Sequence, residues 1–559
     1  MANIPEIRKH LLEVAKQLDD VFEQTRPAYR DLQEYILPWS GIGLSATDAS
    51  SDLEDYDRKD LSIIDSTATY AIEVLAAGMQ SGLTSPARPW FRLGLSNGEM
   101  SEDPEIKQWL HTVENEMRYV FSRSNVYQGL HHTYKELGGF GTAAMAMLFQ
   151  FDTLLRVRPF TVGEYRIGLS AELRPNTFLT YCYMNARQLV ERFGRDNVSE
   201  QVINAYENGQ SETLFKIAWL VEPNDDRVKA KDFLGRPFRS VYFECSSRED
   251  KVLDISGFKS FPVVAPRWDV ISNKAYGVGP GHVTLGNVKM LQKMQEKGLI
   301  ALDKSVDPPL VGPSDLKQTI INTMPGGVTA IDEMTGTQGL RPLYEMRPDF
   351  QALEFKIDAT RLQIRTGFYN DLFLMLANQP LRSGITATEI AERHEEKLIM
   401  LGPVLERLHA ELLDPLIDRA FELMLENNMV PPAPEQLQGT EIKVEYISIL
   451  AQAQKMVATT SVNQFFGFAG QLAAANPEVL DKIDFDQAVD VYADLTGVPP
   501  SLVVPDDQVA AKRQARAQQQ MAQSAMAMIQ PAAQSVKAMA DAPMDSNSAL
   551  DALLGRPTR

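Results

Sequence analysis

The chain has 559 residues, 44% of them hydrophobic and 23% charged, with a formal net charge of −19. That length exceeds what one hydrophobic core serves, so two to four domains are expected, and the composition excludes a disordered chain. The acidic balance argues against a protein that coats nucleic acid, because phosphates repel it, but not against one that lets DNA pass without holding it.

Cys182 and Cys245, the two cysteines, offer neither a disulfide framework nor a metal set and suit a reducing cytoplasm. Residues 1–10 are polar and carry no signal-peptide pattern. The apolar run around 143–149 falls far short of the ~20 residues of a membrane span, so no membrane partner is expected.

Helical periodicity runs through 5–38, with Leu11, Leu12, Ala15, Leu18 and Phe22 on one face and an interruption expected at Pro27. A Ser/Asp-rich loop at 41–60 precedes a small-faced helix over 61–80. That helix leads into Gly82-Leu83-Thr84-Ser85-Pro86-Ala87-Arg88-Pro89-Trp90-Phe91, a rigid segment of the kind that usually anchors one element on another. Further helices are predicted at 103–121 and 127–149, the second interrupted at Gly138-Gly139. Between 154 and 266, β-rich runs such as 213–221 and 240–245 alternate with turn residues around a helix at 185–193. The fold class is therefore mainly α with a mixed α+β region.

Tyr276-Gly277-Val278-Gly279-Pro280-Gly281 leads into a helix over 284–302. A Pro/Gly-rich lobe at 303–346 separates it from a helix that begins at Phe350 and carries Leu353, Ile357, Ile364, Phe368 and Leu372 at helical spacing. A lobe between two such helices implies an antiparallel pair carrying a tip. The turn-rich stretch 378–385 follows, and Thr386 with Glu389 forms a capping box that opens another helix. Over 386–428 that helix would be roughly 60 Å long at about 1.5 Å per residue, with kinks expected at Pro403 and Pro415. Helices of this length need cover along their whole length, from a large bundle or from neighbours in an assembly. A strand at 441–450, helices at 451–475 and 484–495, and an Ala/Gln/Met-rich tail, helical or disordered, complete the chain.

No enzyme signature stands out. The Gly277 to Gly281 run lacks the Lys-Ser/Thr of a phosphate loop and the spacing of a dinucleotide fingerprint, so a tight turn before a helix is expected. His394-Glu395 resembles the start of a zinc-protease helix, but Leu398 stands where the second histidine is needed. His131 and His132 are adjacent and cannot share one helix face. No metal, cofactor or catalytic residue is assigned. Among basic residues, Lys289, Lys293 and Lys297 recur every four positions, and Arg361 and Arg365 form a second row. A solvated face is the commonest explanation of the first row, and an ion pair within the helix or between subunits comes ahead of a phosphate contact for the second. Arg382 differs, since nothing nearby on its loop pairs with it.

Several stretches in order resemble the head-to-tail connecting (portal) proteins of short-tailed bacteriophages. They are Arg26-Pro27-Ala28-Tyr29, Leu75-Ala76-Ala77-Gly78-Met79 with Leu83 to Phe91, Ser124-Asn125-Val126-Tyr127, Gly139-Phe140-Gly141-Thr142-Ala143-Ala144, Tyr276 to Pro280, and Thr386-Ala387-Thr388-Glu389-Ile390. The resemblance implies a non-enzymatic subunit of a ring, usually of twelve copies, at one capsid vertex of the virion, with double-stranded DNA threaded through it. It also implies a wing at 1–280, a stem at 281–302 and 350–377, a clip at 303–349 and a tunnel loop at 378–385. A long helix and returning wing strand at 386–450, a helical crown at 451–505 and a tail at 506–559 complete that layout. Partners implied are the terminase large subunit, major capsid and scaffolding proteins, and tail or adaptor proteins, with assembly in the host cytoplasm. DNA-tunnel candidates on this reading are Arg382, Lys289, Lys293, Lys297, Arg361 and Arg365. A monomeric helical scaffold or adaptor, or a DNA-packaging enzyme, are the competing readings. Oligomer size and ATP turnover discriminate them.

Overall fold

A computed structural model describes residues 4–44, 62–95, 103–224, 235–247, 249, 251–306, 310–311, 341–342, 349–377, 401–434, 437, 442–446, 462–472, 483–496, 504 and 508–521. Two compact units divide the chain: 1–96 with 109–453, and 97–108 with 454–559.

The larger unit opens with helix α1, Ile4–Tyr35, which runs through Pro27 without the expected break. Phe22 and Tyr29, on either side of the proline, are both buried. Their anchoring outweighs the one backbone hydrogen bond that proline cannot donate. Helix α2, Thr67–Leu83, buries Ala68, Ala71, Ile72, Leu75, Ala76 and Met79. Strand β1, Phe91–Leu95, emerges from the Pro/Trp stretch read as a rigid anchor and pairs antiparallel with the strand Ile442–Tyr446. Helix α3 is Pro104–Arg123.

Helix α4, Val126–Phe140, ends at Gly141, whose φ of 74° is left-handed, and the expected helix to 149 is not formed. Instead Ala144–Gln150 is strand β2, paired with β3, Leu154–Phe160. The apolar run is buried from Ala143 to Met147 and forms a sheet strand with no helical stripe to bury, an ambiguity that short apolar runs carry. Strands β4, Tyr165–Leu169, β5, Pro175–Asn185, β6, Leu214–Pro223, β7, Phe238–Glu244, and β8, Asp254–Phe258, form an antiparallel meander with each strand beside its sequence neighbour. One face carries Ala218, Leu220 and Val241 against Leu11 and Ala15 of α1. The other carries Ile217 against α5, Ala186–Phe193, the helix expected at 185–193, and against α6, Glu200–Glu207, a helix the sequence pattern did not reveal. Neighbours Ile217 and Ala218 thus serve opposite cores, as the two-residue period of a strand dictates. Val263–Val264 is a short strand, β9, on the outer edge of β2.

Helix α7, Pro280–Val306, and helix α8, Phe350–Gly367, flank the segment 307–349, and α9, Asn370–Ala377, follows. Between α7 and α8, the short strands Leu310–Val311 and Arg341–Pro342 pair antiparallel. Helix α10 occupies 401–426 and contains a π-turn at His409–Leu413 just before Pro415. The Asp414 N–H donates to the His409 carbonyl, five residues back, which adjusts the ladder where Pro415 has no donor. In the smaller unit, helices span 462–472, Phe485–Thr496 and 508–521. Arg513 makes two hydrogen bonds of 2.7 Å to the Asp486 carboxylate.

Candidate functional site

The α7–α8 pair is antiparallel, and glycines fix its closeness. A Cβ on Gly367 would lie 2.3 Å from Thr284 Cγ2, and one on Gly298 would lie 3.1 Å from Leu353 Cδ2. These meeting points are equally spaced on the two helices (284 to 298 and 353 to 367), so the pair runs in step over that length. Thr284 is locked in place by its own hydroxyl, which donates to the Pro280 carbonyl at 2.8 Å.

Asp65, just before α2, ties both helices to the rest of the unit. Gln292 of α7 accepts from the Ile64 and Asp65 N–H groups at 2.8 Å each and donates to the Asp65 carbonyl at 2.7 Å. Arg361 of α8 donates through Nε to Asp65 Oδ2 at 2.9 Å and pairs with Asp358 at 3.0 Å. Thr67 donates from its N–H and hydroxyl to Asp65 Oδ1 at 2.9 and 2.5 Å. Burial alone would raise the Asp65 carboxyl. The Thr67 hydrogen bonds and the Arg361 guanidinium outweigh it and hold the group below the usual carboxylate range. Asp65 and Gln292 carry no sequence signal as a pair. Only the Asp-Ser-Thr start of α2 marks the place as a helix beginning.

The basic candidates divide sharply. Lys289 pairs with Asp31 of α1 at 2.8 Å and lies over the Tyr35 ring. Lys293 pairs with Glu296 at 2.8 Å, and Arg361 is held by Asp65 and Asp358. Lys297 and Arg365 are exposed and make no ion pair among the described residues. The three lysines therefore do not act as one row. Arg382 lies outside the described residues, as do His394 and the 378–385 loop. An open cavity of about 680 Å³ beside Asp65 is lined by Ile64, Ser66, Asp358, Leu362 and Arg365.

One side of the hairpin is occupied by Asp31 and Asp65 with their helices. The other leaves apolar groups of α7 in solvent: Val283 is 76% exposed and Met290 37%. Met290 and Gln292 are two positions apart, about 200° around a helix, and so face opposite ways.

The Gly277 to Gly281 run serves packing. A Cβ on Gly277 would lie 2.6 Å from the Gly141 carbonyl oxygen, and one on Gly281 would lie 2.1 Å from that of Gly139. Backbone lies on backbone here, which leaves no room for a phosphate. The N–H of Gly277 donates to the Thr142 hydroxyl at 2.8 Å, completing the crossing from which α7 departs. No group of His, Cys, Asp and Glu suited to a metal ion occurs among the described residues.

Residues 8–504 match the family described as "Bacteriophage head to tail connecting protein". The chain belongs to that family. It is 41% identical over 548 residues to the portal protein of Salmonella phage epsilon15, covering 98% of each chain. It is 40% identical over 544 residues to the probable portal protein of Bordetella phage BPP-1, covering 97% of each. Similar solved structures include the neck of an empty gene transfer agent particle, at 12% identity and a TM-score of 0.36, covering 78% of this chain and 91% of that one. The virion of the native particle is another, at 12% identity and a TM-score of 0.34, covering 78% and 90%.

Proposed function

We propose that this chain is a phage portal subunit: copies form a ring at one capsid vertex, through which double-stranded DNA is packaged and ejected. The near full-length identity to the epsilon15 portal protein carries this reading. The hairpin supports it physically. Val283 and Met290 of α7 lie exposed on one side, and Ile64 and Leu362 lie exposed beside Asp65. Different apolar surfaces on one subunit suit a head-to-tail contact that closes by rotation. An acidic subunit suits a conduit, since a wall of paired phosphate contacts would bind the duplex strongly and stall it.

In this reading α7 and α8 form the stem, 303–349 a clip that docks the terminase and later tail proteins, and 451–505 a crown. The ring has twelve copies, contacts capsid and scaffolding proteins during assembly in the host cytoplasm, and relies on the terminase for ATP-driven movement. Light scattering on the purified protein, with negative-stain images, tests the core of it. Closed rings with a central hole are expected, and a stable monomer near the 62.4 kDa chain mass would overturn it.

A further inference from the structure

Glu136 of α4 is fully buried, and among the described residues no cation pairs with it. Its Oε1 accepts from the Thr161 hydroxyl at 3.0 Å and its Oε2 from the Val162 N–H at 3.2 Å. The same two residues hold the loop that follows α1. The Gly41 N–H donates to Thr161 Oγ1 at 2.6 Å, and the Ile42 N–H donates to the Val162 carbonyl at 2.9 Å. The contact is close enough that a Cβ on Gly163 would lie 1.7 Å from the Ile42 carbonyl oxygen. One helical turn past Glu136, Gly139 and Gly141 meet the backbone from which α7 departs. This carboxyl therefore joins three segments: the loop 40–42, the turn 161–164 and the base of α7.

Among the described residues, the titratable groups against it are neutral or negative, and the nearby cations are engaged elsewhere. Tyr29 of α1, Tyr165 of β4 and Tyr276 before α7 are buried phenols, each pushed upward chiefly by burial. Glu164, in the turn, is a second carboxyl raised by burial. His282 of α7 is pushed down to about 4 by burial and stays neutral. Of the nearby cations, Arg158 of β3 lies over Phe160, Arg166 of β4 pairs with Asp19, and Lys135 pairs with Glu73 of α2. An ionised Glu136 would be a buried charge held by hydrogen bonds alone.

We propose that Glu136 is a proton-gated clasp: as the neutral acid it seats the loop 40–42 and the turn 161–164 beside the base of α7, and as the carboxylate it releases them. On release the carboxyl O–H bond breaks and the proton passes to solvent. Burial, the largest influence, raises the group to about 7 against the hydrogen bonds from Val162 and Thr161. An acid raised in the folded state gives up stability as pH climbs from its unfolded value, about 4.3, towards the folded one.

Hydrogen exchange of the full chain between pH 5 and 8, corrected for intrinsic exchange, tests this at the Gly41, Ile42 and Val162 amides. The opening equilibrium of the wild type should rise by up to about tenfold per pH unit from 5 to 7 and level off above. Glu136→Gln should flatten that dependence. Its amide oxygen can accept from Val162 and its NH₂ can donate to Thr161. Opening that is independent of pH in the wild type, or a wild-type slope in E136Q, overturns the proposal. Should E136Q not fold, the infrared pH-difference spectrum of the wild type decides. A buried carboxyl C=O band that titrates near 7 supports the clasp, and the absence of such a band overturns it.

Discussion

Asp65 and Arg361, almost three hundred positions apart in sequence, form a charge-assisted hydrogen bond of 2.9 Å that joins the start of α2 to α8. Because Gln292 of α7 grips the same Asp65 backbone, one short segment holds both helices of the antiparallel pair. Asp65→Asn should keep an acceptor for Thr67 but lose the charge. A loss of about 1.5–3 kcal/mol in the stability of this region is expected, the range for hydrogen bonds to charged groups. Since the carboxyl is depressed, its contribution is present above the unfolded value of about 3.9 and fades as pH falls through the folded one. Calorimetry at pH 7 and pH 3 checks both statements: the difference between mutant and wild type should shrink at the lower pH.

Gly367 and Thr284 set the spacing of the hairpin. Gly367→Ala would place a methyl against a locked, buried threonine and should destabilise by about 1–3 kcal/mol, the usual cost of overpacking. Thr284→Ser removes the opposing methyl and keeps the hydroxyl that bonds Pro280. Added to Gly367→Ala, it should recover most of the loss in a denaturation midpoint. Strict additivity of the two changes would refute the contact.

Arg267 and Glu411 tie α10 to the segment after β9 through a buried pair of 2.5 Å, and the Glu411 carboxylate also accepts the Arg267 backbone N–H at 3.0 Å. Arg267 is only 3% exposed. Glu411→Leu alone should cost about 3–5 kcal/mol, because a buried cation is left uncompensated, whereas Glu411→Leu with Arg267→Met should lie far closer to wild type. Thermal unfolding of the three variants measures the difference.

Arg382 is proposed to guide or retain DNA at the tunnel loop, through contacts screened within about 8 Å at physiological salt. Arg382→Glu should assemble normal rings and proheads but package less DNA or leak it. If the arginine instead pairs with an acidic group of a neighbouring subunit, the ring itself should weaken. Ring stability and DNA content measured on one mutant separate these, and wild-type values for both would dismiss either role.

What could be read from the chain alone was whatever local periodicity encodes. The helices around α7 and α8 and the strand Ile442–Tyr446 follow from spacing and turn residues, because a buried stripe must repeat with its element's own period. Family membership, too, was visible in ordered motifs. Where two periods fit one short apolar run, as at 144–150, only pairing with β3 decided for the strand. Pro27 breaks a helix on local grounds, and burial of Phe22 and Tyr29 overrode it. The lysine row looked uniform in sequence, yet Lys289 meets Asp31, Lys293 meets Glu296 and Lys297 meets solvent. Asp65 and Glu136 were silent, since the worth of a carboxylate lies in the groups brought to it from distant parts of the chain, and only the tertiary structure brings Arg361 to one and, among the described residues, pairs no cation with the other.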